Sequence, residues 1–178
     1  MEDAYIKKGP FQNLSHKNMT FDDVFQHIVQ FMRKDPTGSF RLMFGTDSQV
    51  HKDCTKFITG IVIQQETKGA WACIRKTIVF RKMMNLHERI SFETSLTEEI
   101  ASLFTEERKE QLIDIILPHI YKGANFTIEG HIDIGAGRRN KTRRFVQEMV
   151  ARMEAIGIEP KIKPEAFVAS CYANRYTK

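Results

Sequence analysis

The sequence predicts an α/β domain with a mixed five-stranded sheet flanked by helices and one extra helix at the N-terminus. Three observations predict this class. Several short runs are apolar or alternate as in strands, other runs repeat every three to four residues as in helices, and three strands precede an alternation of helix and strand. At 178 residues the chain can bury its own core. We expect residues 1–38 to be a helical extension packed on a domain of residues 39–178.

The N-terminal half is predicted to contain a helix and then three strands. Thr20 and Asp23 have the spacing of a helix N-cap, and apolar residues follow at helical spacing, so residues 21–34 are predicted to form an amphipathic helix. The short connection at residues 66–69 favours an antiparallel meander. The three strands are predicted at residues 39–47, 56–65 and 70–80.

The C-terminal half is predicted to alternate between helices and strands. Helices are expected at residues 88–104, 109–121, 139–157 and 165–178, and strands at residues 125–135 and 158–164. Pro118 should bend or end the second of these helices because it lacks a backbone N–H. Three antiparallel strands followed by two strands in α/β crossovers is the element order of a ribonuclease H-like domain.

The composition is that of an ordinary globular protein. Hydrophobic residues make up 42% and charged residues 28%, which argues against disorder. No apolar run approaches the roughly 20 residues of a membrane helix, and the first twelve residues lack an apolar signal core, so we expect a cytoplasmic protein without a membrane partner. Cys54, Cys73 and Cys171 are scattered and are expected to be reduced thiols.

Two acidic residues end predicted strands. Asp47 ends the first strand, and Asp133 ends the polar face of the fourth, which also carries Thr127, Glu129 and His131. A carboxylate at the end of a central strand is costly to bury without a partner or a metal ion. The alternatives are that Asp47 merely begins a loop and that the fourth strand is half exposed. The functional interpretation is that both acids line a ligand site.

Glu93 is the third candidate acid. It precedes Leu96 and Ile100 by three and seven residues, so it opens the apolar stripe of its helix and should face the sheet. It could instead serve only the positive N-terminal end of that helix. Glu99, on a neighbouring stripe, is the competing candidate.

Three such carboxylates predict a divalent-metal site. Mg²⁺ and Mn²⁺ prefer carboxylate oxygen and water. Two ions about 4 Å apart activate a water molecule and stabilise the leaving oxygen in phosphodiester cleavage. Asp47, Glu93 and Asp133 are therefore the predicted catalytic and metal-binding residues. His131 and His87 are candidate proton carriers, although a lone histidine more often has a structural role.

A basic cluster follows Asp133 directly. It consists of Arg138, Arg139, Lys141, Arg143 and Arg144. Such a cluster can bind nucleic-acid phosphates by displacing counterions, although a solvated helix start is the alternative. Residues 135–142, GAGRRNKT, also come within one residue of a phosphate-cradling loop, with Asn140 where glycine is needed. We interpret this stretch as a strand-to-helix turn.

Several motifs together resemble the YkuK-like bacterial family of ribonuclease H-like proteins. They are FGTDSQ, HIDIG followed by NKT, and IKPEAFVASCYANRYTK, and the resemblance covers nearly the whole chain. It implies a ribonuclease H-like fold and a predicted metal-dependent nuclease activity. It also implies that Asp47, Glu93 and Asp133 are the acids of the first strand, the helix and the fourth strand.

The resemblance places Asn174 where the family pattern has its last acid, as a fourth metal ligand. An amide offers one neutral oxygen but cannot balance charge or act as a base, which weakens the binding of a second ion. Proofreading-type exonucleases carry a second acid two residues after the first, where this chain has Gln49, so that type is disfavoured.

Three functions remain open from the sequence. The first is a Mg²⁺- or Mn²⁺-dependent nuclease, a hydrolase acting on RNA, RNA–DNA hybrid or DNA. The second is a catalytically weak or inactive nucleic-acid-binding module on the same fold. The third and least favoured is a nucleoside triphosphate-binding protein that uses residues 135–142. The sequence does not predict an oligomeric state.

Overall fold

The structure is a computed structural model that describes residues 5–177. It contains six strands: β1 (Ile6–Gln12), β2 (Ser39–Val50), β3 (Thr55–Gln65), β4 (Gly69–Val79), β5 (Asn125–Ile132) and β6 (Glu159–Lys161). Its α-helices are α1 (Phe21–Lys34), α2 (Leu86–Leu103), α3 (Glu106–Ile116), α4 (Val146–Ala155) and α5 (Asn174–Thr177). Two 3₁₀ segments, Leu117–Lys122 and Arg143–Phe145, and a π-helical segment, Val168–Ala173, complete the described elements.

All six strands form one mixed sheet in the order β1-β4-β3-β2-β5-β6. The pairs β1–β4, β4–β3 and β3–β2 are antiparallel, and β2–β5 and β5–β6 are parallel. This arrangement confirms the predicted α/β class with its antiparallel meander and parallel C-terminal strands. The sheet has six strands rather than five because β1 joins the edge at β4. Phe11 is the buried residue of that strand, so the sequence had no apolar alternation there.

Several predicted boundaries differ from the structure. The helix predicted at residues 139–157 begins only at Val146, because the preceding residues form turns and a 3₁₀ segment. The fourth predicted strand ends at Ile132 rather than residue 135. The predicted break at Pro118 is confirmed, since α3 ends at Ile116 and the chain continues as a 3₁₀ helix. The predicted C-terminal helix is a π-helical segment followed by α5.

The two faces of the sheet pack against different layers. On one face, Phe40, Leu42 and Phe44 of β2 share a core with helices α1 to α4. On the other face, Met43 packs on Val168 of the π-helical segment. Alternation along β2 therefore sends even-numbered and odd-numbered side chains into separate cores. The N-terminal helix contributes to the first core, and no helix within residues 5–177 is long and apolar enough to cross a bilayer.

Glycine allows the C-terminal segment to lie directly on the centre of the sheet. A Cβ atom at Gly45 would lie 2.7 Å from the backbone nitrogen of Ala169. A Cβ atom at Gly60 would lie 2.8 Å from Cδ1 of Tyr172. Both distances are too short for a real side chain. The close approach brings α5 to the edge of β2 that carries Asp47.

Candidate active site

Asp47 and Asp133 follow the last paired residues of two parallel strands. Pairing between β2 and β5 ends at Thr46 and Ile132, and the two acids are the next residues on each chain. The sequence predicted that Asp47 ends its strand, and this was wrong by three residues. β2 continues to Val50 because it stays paired with β3. The parallel ladder ends one residue before each acid, so both acids lie at the same edge of the sheet, the one formed by the carboxyl ends of the parallel strands.

Asp47 is partly buried and lies close to other acids. Burial and then the negative charge of Asp133 raise the pKa of Asp47 to about 6, against the lowering effects of a backbone hydrogen bond from Ser48 and the positive charge of Lys163. The Thr177 hydroxyl lies 3.2 Å from Asp47 Oδ2. The carboxylate is thus held between the C-terminal helix and the sheet edge.

Glu93 approaches the same edge from α2. The Asn85 side chain caps this helix by accepting a hydrogen bond from the Glu88 N–H, and Glu93 lies two turns into it, 7% exposed. The Ser48 hydroxyl donates a hydrogen bond to Glu93 Oε1. Burial raises the pKa of Glu93 to about 8, and the negative charges of Asp47 and Asp133 add to this effect. The side chain faces the sheet, as its position on the apolar stripe predicted.

The competing acid Glu99 has partners elsewhere. Its carboxylate contacts the ammonium of Lys8 at 2.6 Å and the guanidinium of Arg75 at 3.0 Å. These two cations lower its pKa despite partial burial. Glu99 therefore serves the contact between α2 and the strands β1 and β4, away from the other acids.

Asp133 contacts a lysine that the sequence analysis did not identify. Lys163 Nζ lies 3.1 Å from Asp133 Oδ1. The contact is ionic, since this buried oxygen accepts no hydrogen bond from residues 5–177. The position of Lys163 in the last predicted strand could have indicated this contact, because that strand lies beside the parallel strand that leads to Asp133. Carboxyl ends of neighbouring parallel strands share an edge.

Asn174 lies on the Asp47 side of this group. It is the first residue of α5, and its Oδ1 atom lies 3.4 Å from the Thr177 hydroxyl. The same hydroxyl contacts Asp47. The structure thus links the amide to the first-strand acid through one side chain.

His131 has partners other than the three acids. Its side chain is fully buried, with Nδ1 accepting from the Val168 N–H at 3.2 Å and Nε2 lying 3.3 Å from Glu129 Oε1. An accepting Nδ1 leaves the proton of the neutral ring on Nε2. Arg41 completes this network with two hydrogen bonds to Glu129, of 2.7 and 2.8 Å. The other candidate, His87, pairs with Glu148 between α2 and α4.

The five cations of the basic cluster extend into solvent. Arg138, Arg139, Lys141, Arg143 and Arg144 are all exposed, and within residues 5–177 none of them forms an ion pair. Arg144 covers the ring of Phe145 with its guanidinium carbon 4.7 Å from the centroid. The cluster is therefore a free positive surface on the loop that follows Asp133.

The loop carrying this cluster is closed on itself. The Gly135 N–H donates to Thr142 Oγ1 at 3.1 Å, and a Cβ atom at Gly135 would lie 2.4 Å from Asn140 Nδ2. A phosphate-cradling loop needs free backbone N–H groups, whereas this one is already used. The geometry agrees with a strand-to-helix turn. It also gives Asn140 a packing role that the sequence did not indicate.

The donor set fits a hard divalent cation. Asp47, Glu93 and Asp133 offer carboxylate oxygens, and the burial that raises two of their pKa values leaves a cluster that is costly to ionise without added positive charge. The buried Oδ1 of Asp133 accepts no hydrogen bond within the described residues, so only its ionic contact with Lys163 competes with a metal ion for this oxygen. Within residues 5–177, no three His, Cys, Asp or Glu side chains already lie close enough to enclose an ion. Ser48, Thr177 and Lys163 hold the acids instead.

Comparisons with known proteins agree with this fold. The family described as Ribonuclease H-like matches residues 23–178. The chain is also similar to a protein of Bacillus subtilis (strain 168) described as "Uncharacterized protein YkuK", with 42% identity over the full length of both chains. No solved structure gives a significant match.

Proposed function

The chain belongs to the ribonuclease H-like family, and we propose that it is a divalent-metal-dependent nuclease that cleaves phosphodiester bonds of RNA, RNA–DNA hybrid or DNA. One observation carries the proposal. Burial, together with the negative charge of Asp133, raises the pKa values of both Asp47 and Glu93 at the edge where the parallel ladder ends. Perturbed carboxylates of this kind concentrate at functional sites.

Asp47, Glu93 and Asp133 would hold Mg²⁺ or Mn²⁺, with the Asn174 amide oxygen as a neutral fourth donor. When bound, the cation supplies an activated water molecule and stabilises the leaving oxygen. The chain's own contribution is to orient the ligands. Ser48, the residue after Asp47 on β2, donates a hydrogen bond that holds Glu93 in place. The Thr177 hydroxyl lies against Asp47.

The basic cluster would contact the substrate backbone. Arginine and lysine side chains bind phosphates without reading sequence, so they position a strand rather than select it. Their loop directly follows Asp133, which places positive charge beside the acids. This proximity supports a polyanionic substrate over a small neutral one.

The proposal is tested by incubating the protein with labelled RNA, hybrid and DNA in Mg²⁺, in Mn²⁺ and in EDTA. We expect cleavage of at least one substrate with metal, and a loss of about 100-fold or more in Asp133→Asn. Asp114→Asn, an exposed acid on α3, is the matched control and should cleave like the wild type. If the wild type cleaves no substrate with either metal, or if Asp133→Asn cleaves as fast as the wild type, the proposal is refuted.

A nucleic-acid-binding module without turnover is the second candidate. Asn174 in the position of the last family acid favours it, because the site has one negative charge fewer beside an exposed basic cluster. Salt-sensitive binding with no cleavage, even after Asn174→Asp, would support this alternative. Cleavage that increases in Asn174→Asp would instead favour the nuclease.

A further inference from the structure

Three neighbouring parallel strands each direct one charged residue to the same edge. β2 contributes Asp47, β5 leads to Asp133, and β6 leads to Lys163. The β5–β6 register pairs His131 with Lys161, so two further residues along each chain bring Asp133 opposite Lys163. The lysine thus occupies a position in the sheet ladder like those of the two acids.

The backbone fixes the position of Lys163. Its N–H donates to the Ile134 carbonyl at 2.8 Å, which continues the ladder past the last residue of β6. Its side chain is 45% exposed, and an ion pair so open to water contributes little to folding stability. A gain in folding stability therefore does not explain why this ammonium group contacts Asp133 and, through its positive charge, also lowers the pKa of Asp47.

The charges at this edge match one divalent cation. Asp47, Glu93 and Asp133 carry three negative charges when ionised, and Lys163 removes one of them, so one divalent cation neutralises the remainder. Asn174 adds an oxygen but no charge. A fourth acid at position 174, without the lysine, would instead leave enough negative charge for two such ions.

We propose that this site takes one divalent cation, and that the Lys163 ammonium supplies the positive charge that a second cation would otherwise provide. In the free protein the ammonium neutralises Asp133. With nucleic acid bound, it also attracts the phosphate held at the same edge, as a point charge. The inference rests on the proposed nuclease function but concerns the number of ions and the role of this lysine.

The experiment counts Mn²⁺ bound to the full chain by isothermal titration calorimetry and by the electron paramagnetic resonance signal of bound Mn²⁺, without nucleic acid. We expect one ion for the wild type and two, with the spectrum of a coupled pair, for the double variant Lys163→Met, Asn174→Asp. Lys163→Met alone should bind its single ion about tenfold more tightly, because a nearby positive charge is gone.

The matched control is Lys161→Met, which removes a lysine from β6 that pairs with Glu159. It should keep the wild-type count and affinity. Lys163→Gln repeats the test with a polar side chain, and circular dichroism confirms that each variant is folded. Two ions in the wild type, one ion in the double variant, or unchanged affinity in both Lys163 variants would each overturn the inference.

The same data separate this inference from the proposed function. Two ions together with metal-dependent cleavage would overturn only the role of Lys163. Absence of both Mn²⁺ binding and cleavage in the wild type would refute the nuclease proposal, and the inference would fail with it. One ion in the wild type and two in the double variant would support the inference even before a substrate is identified.

Discussion

The Ser48 hydroxyl donates a hydrogen bond to Glu93, and this contact fastens α2 to the strand that carries Asp47. Successive residues of a strand point to opposite faces, so Ser48 and Asp47 face different helical layers. Glu93 comes from the layer under one face, whereas Thr177, which contacts Asp47, comes from the layer under the other. The candidate site therefore lies at an edge that side chains from both layers reach, which explains how acids distant in sequence come together.

The raised pKa of Glu93 makes the stability of the metal-free protein depend on pH. Its folded-state pKa of about 8 exceeds its ordinary value of 4.5, so the native state keeps a proton that the unfolded chain releases. The stabilisation is complete below pH 4.5 and is lost as the pH rises through 8. Asp47, with a pKa of about 6, acts in the same direction. We expect the wild type in EDTA to melt several degrees lower at pH 8 than at pH 5.5.

Glu93→Gln should remove most of that difference, because glutamine does not ionise. Thermal melting followed by circular dichroism at both pH values measures it, with Glu110→Gln, an exposed residue of α3, as the control. Adding Mn²⁺ at pH 8 should raise the melting temperature of the wild type, since an ion that binds only the folded state stabilises it. An equal pH dependence in wild type and Glu93→Gln would contradict the assignment.

The basic cluster should determine the salt dependence of nucleic-acid binding. Each phosphate contact contributes about one unit to the slope of log affinity against log salt for duplex DNA. We therefore expect Lys141→Ala and Arg143→Ala each to lower that slope by about one unit in fluorescence anisotropy titrations. Arg33→Ala, an exposed cation on α1, serves as the control and should leave the slope unchanged. Slopes that do not change in the cluster variants would exclude these residues from the interface.

The sequence predicted the sheet well because the core strands are strongly apolar. β3 is buried on both faces for most of its length, and β2 and β4 are buried on both faces in their central residues, and such runs leave a clear pattern. The edge strand β1 escaped prediction because Lys7 and Lys8 are exposed and only Phe11 is buried. Turn chemistry escaped for a different reason. Turns and a 3₁₀ segment precede the helix start at Val146, and contacts there, such as the hydrogen bond that the Gly135 N–H donates to the Thr142 hydroxyl, leave no periodic pattern in the sequence.

The candidate site was predictable where residues break an apolar pattern. Asp47, Glu93 and Asp133 stood out for that reason, and the structure brings their charges within range of one another. Lys163 did not stand out, because a lysine near the end of a short, polar strand is ordinary in sequence. Its importance depends on the strand order and on the register between β5 and β6, which bring it opposite Asp133. Neither can be read from the sequence of a three-residue strand.

The packing of Asn140 on Gly135 gives a prediction about the near-miss phosphate loop. Gly135→Ala should destabilise the protein by about 1 kcal/mol, because the new Cβ meets the Asn140 amide and forces it to move. The same change should cost less in an Asn140→Gly background, where the obstructing side chain is absent. Urea unfolding of the wild type, the two single variants and the double variant forms a cycle that measures this coupling.

The same variants test the nucleotide-binding alternative. Asn140→Gly restores the glycine of a phosphate-cradling loop, yet we expect no gain in nucleotide affinity, because the Gly135 N–H remains bonded to Thr142. Equilibrium dialysis with a nucleoside triphosphate measures this directly. Tight binding in Asn140→Gly, abolished by Lys141→Ala, would contradict the turn interpretation.

For the stability cycle, additive unfolding free energies would contradict the packing of Asn140 on Gly135.

Gly45 offers a way to displace the C-terminal segment without altering an acid. In Gly45→Ala the new Cβ would lie 2.7 Å from the backbone nitrogen of Ala169, which cannot move alone. We expect a loss of about 2–3 kcal/mol in the free energy of unfolding, measured in urea. Because α5 follows this segment, the Thr177 hydroxyl should also withdraw from Asp47, and Mn²⁺ affinity should fall with it.

Gly9→Ala on the edge strand is the control for that experiment, since its Cβ would meet only a carbonyl oxygen at 3.4 Å. It should leave both stability and Mn²⁺ affinity close to wild type. Thr177→Val separates the two effects of Gly45→Ala, because it removes the hydroxyl while keeping a side chain of similar shape. If Thr177→Val lowers Mn²⁺ affinity with only a small loss of stability, the C-terminal helix positions the Asp47 carboxylate. Unchanged affinity in both Thr177→Val and Gly45→Ala would show that Asp47 is positioned by the sheet alone.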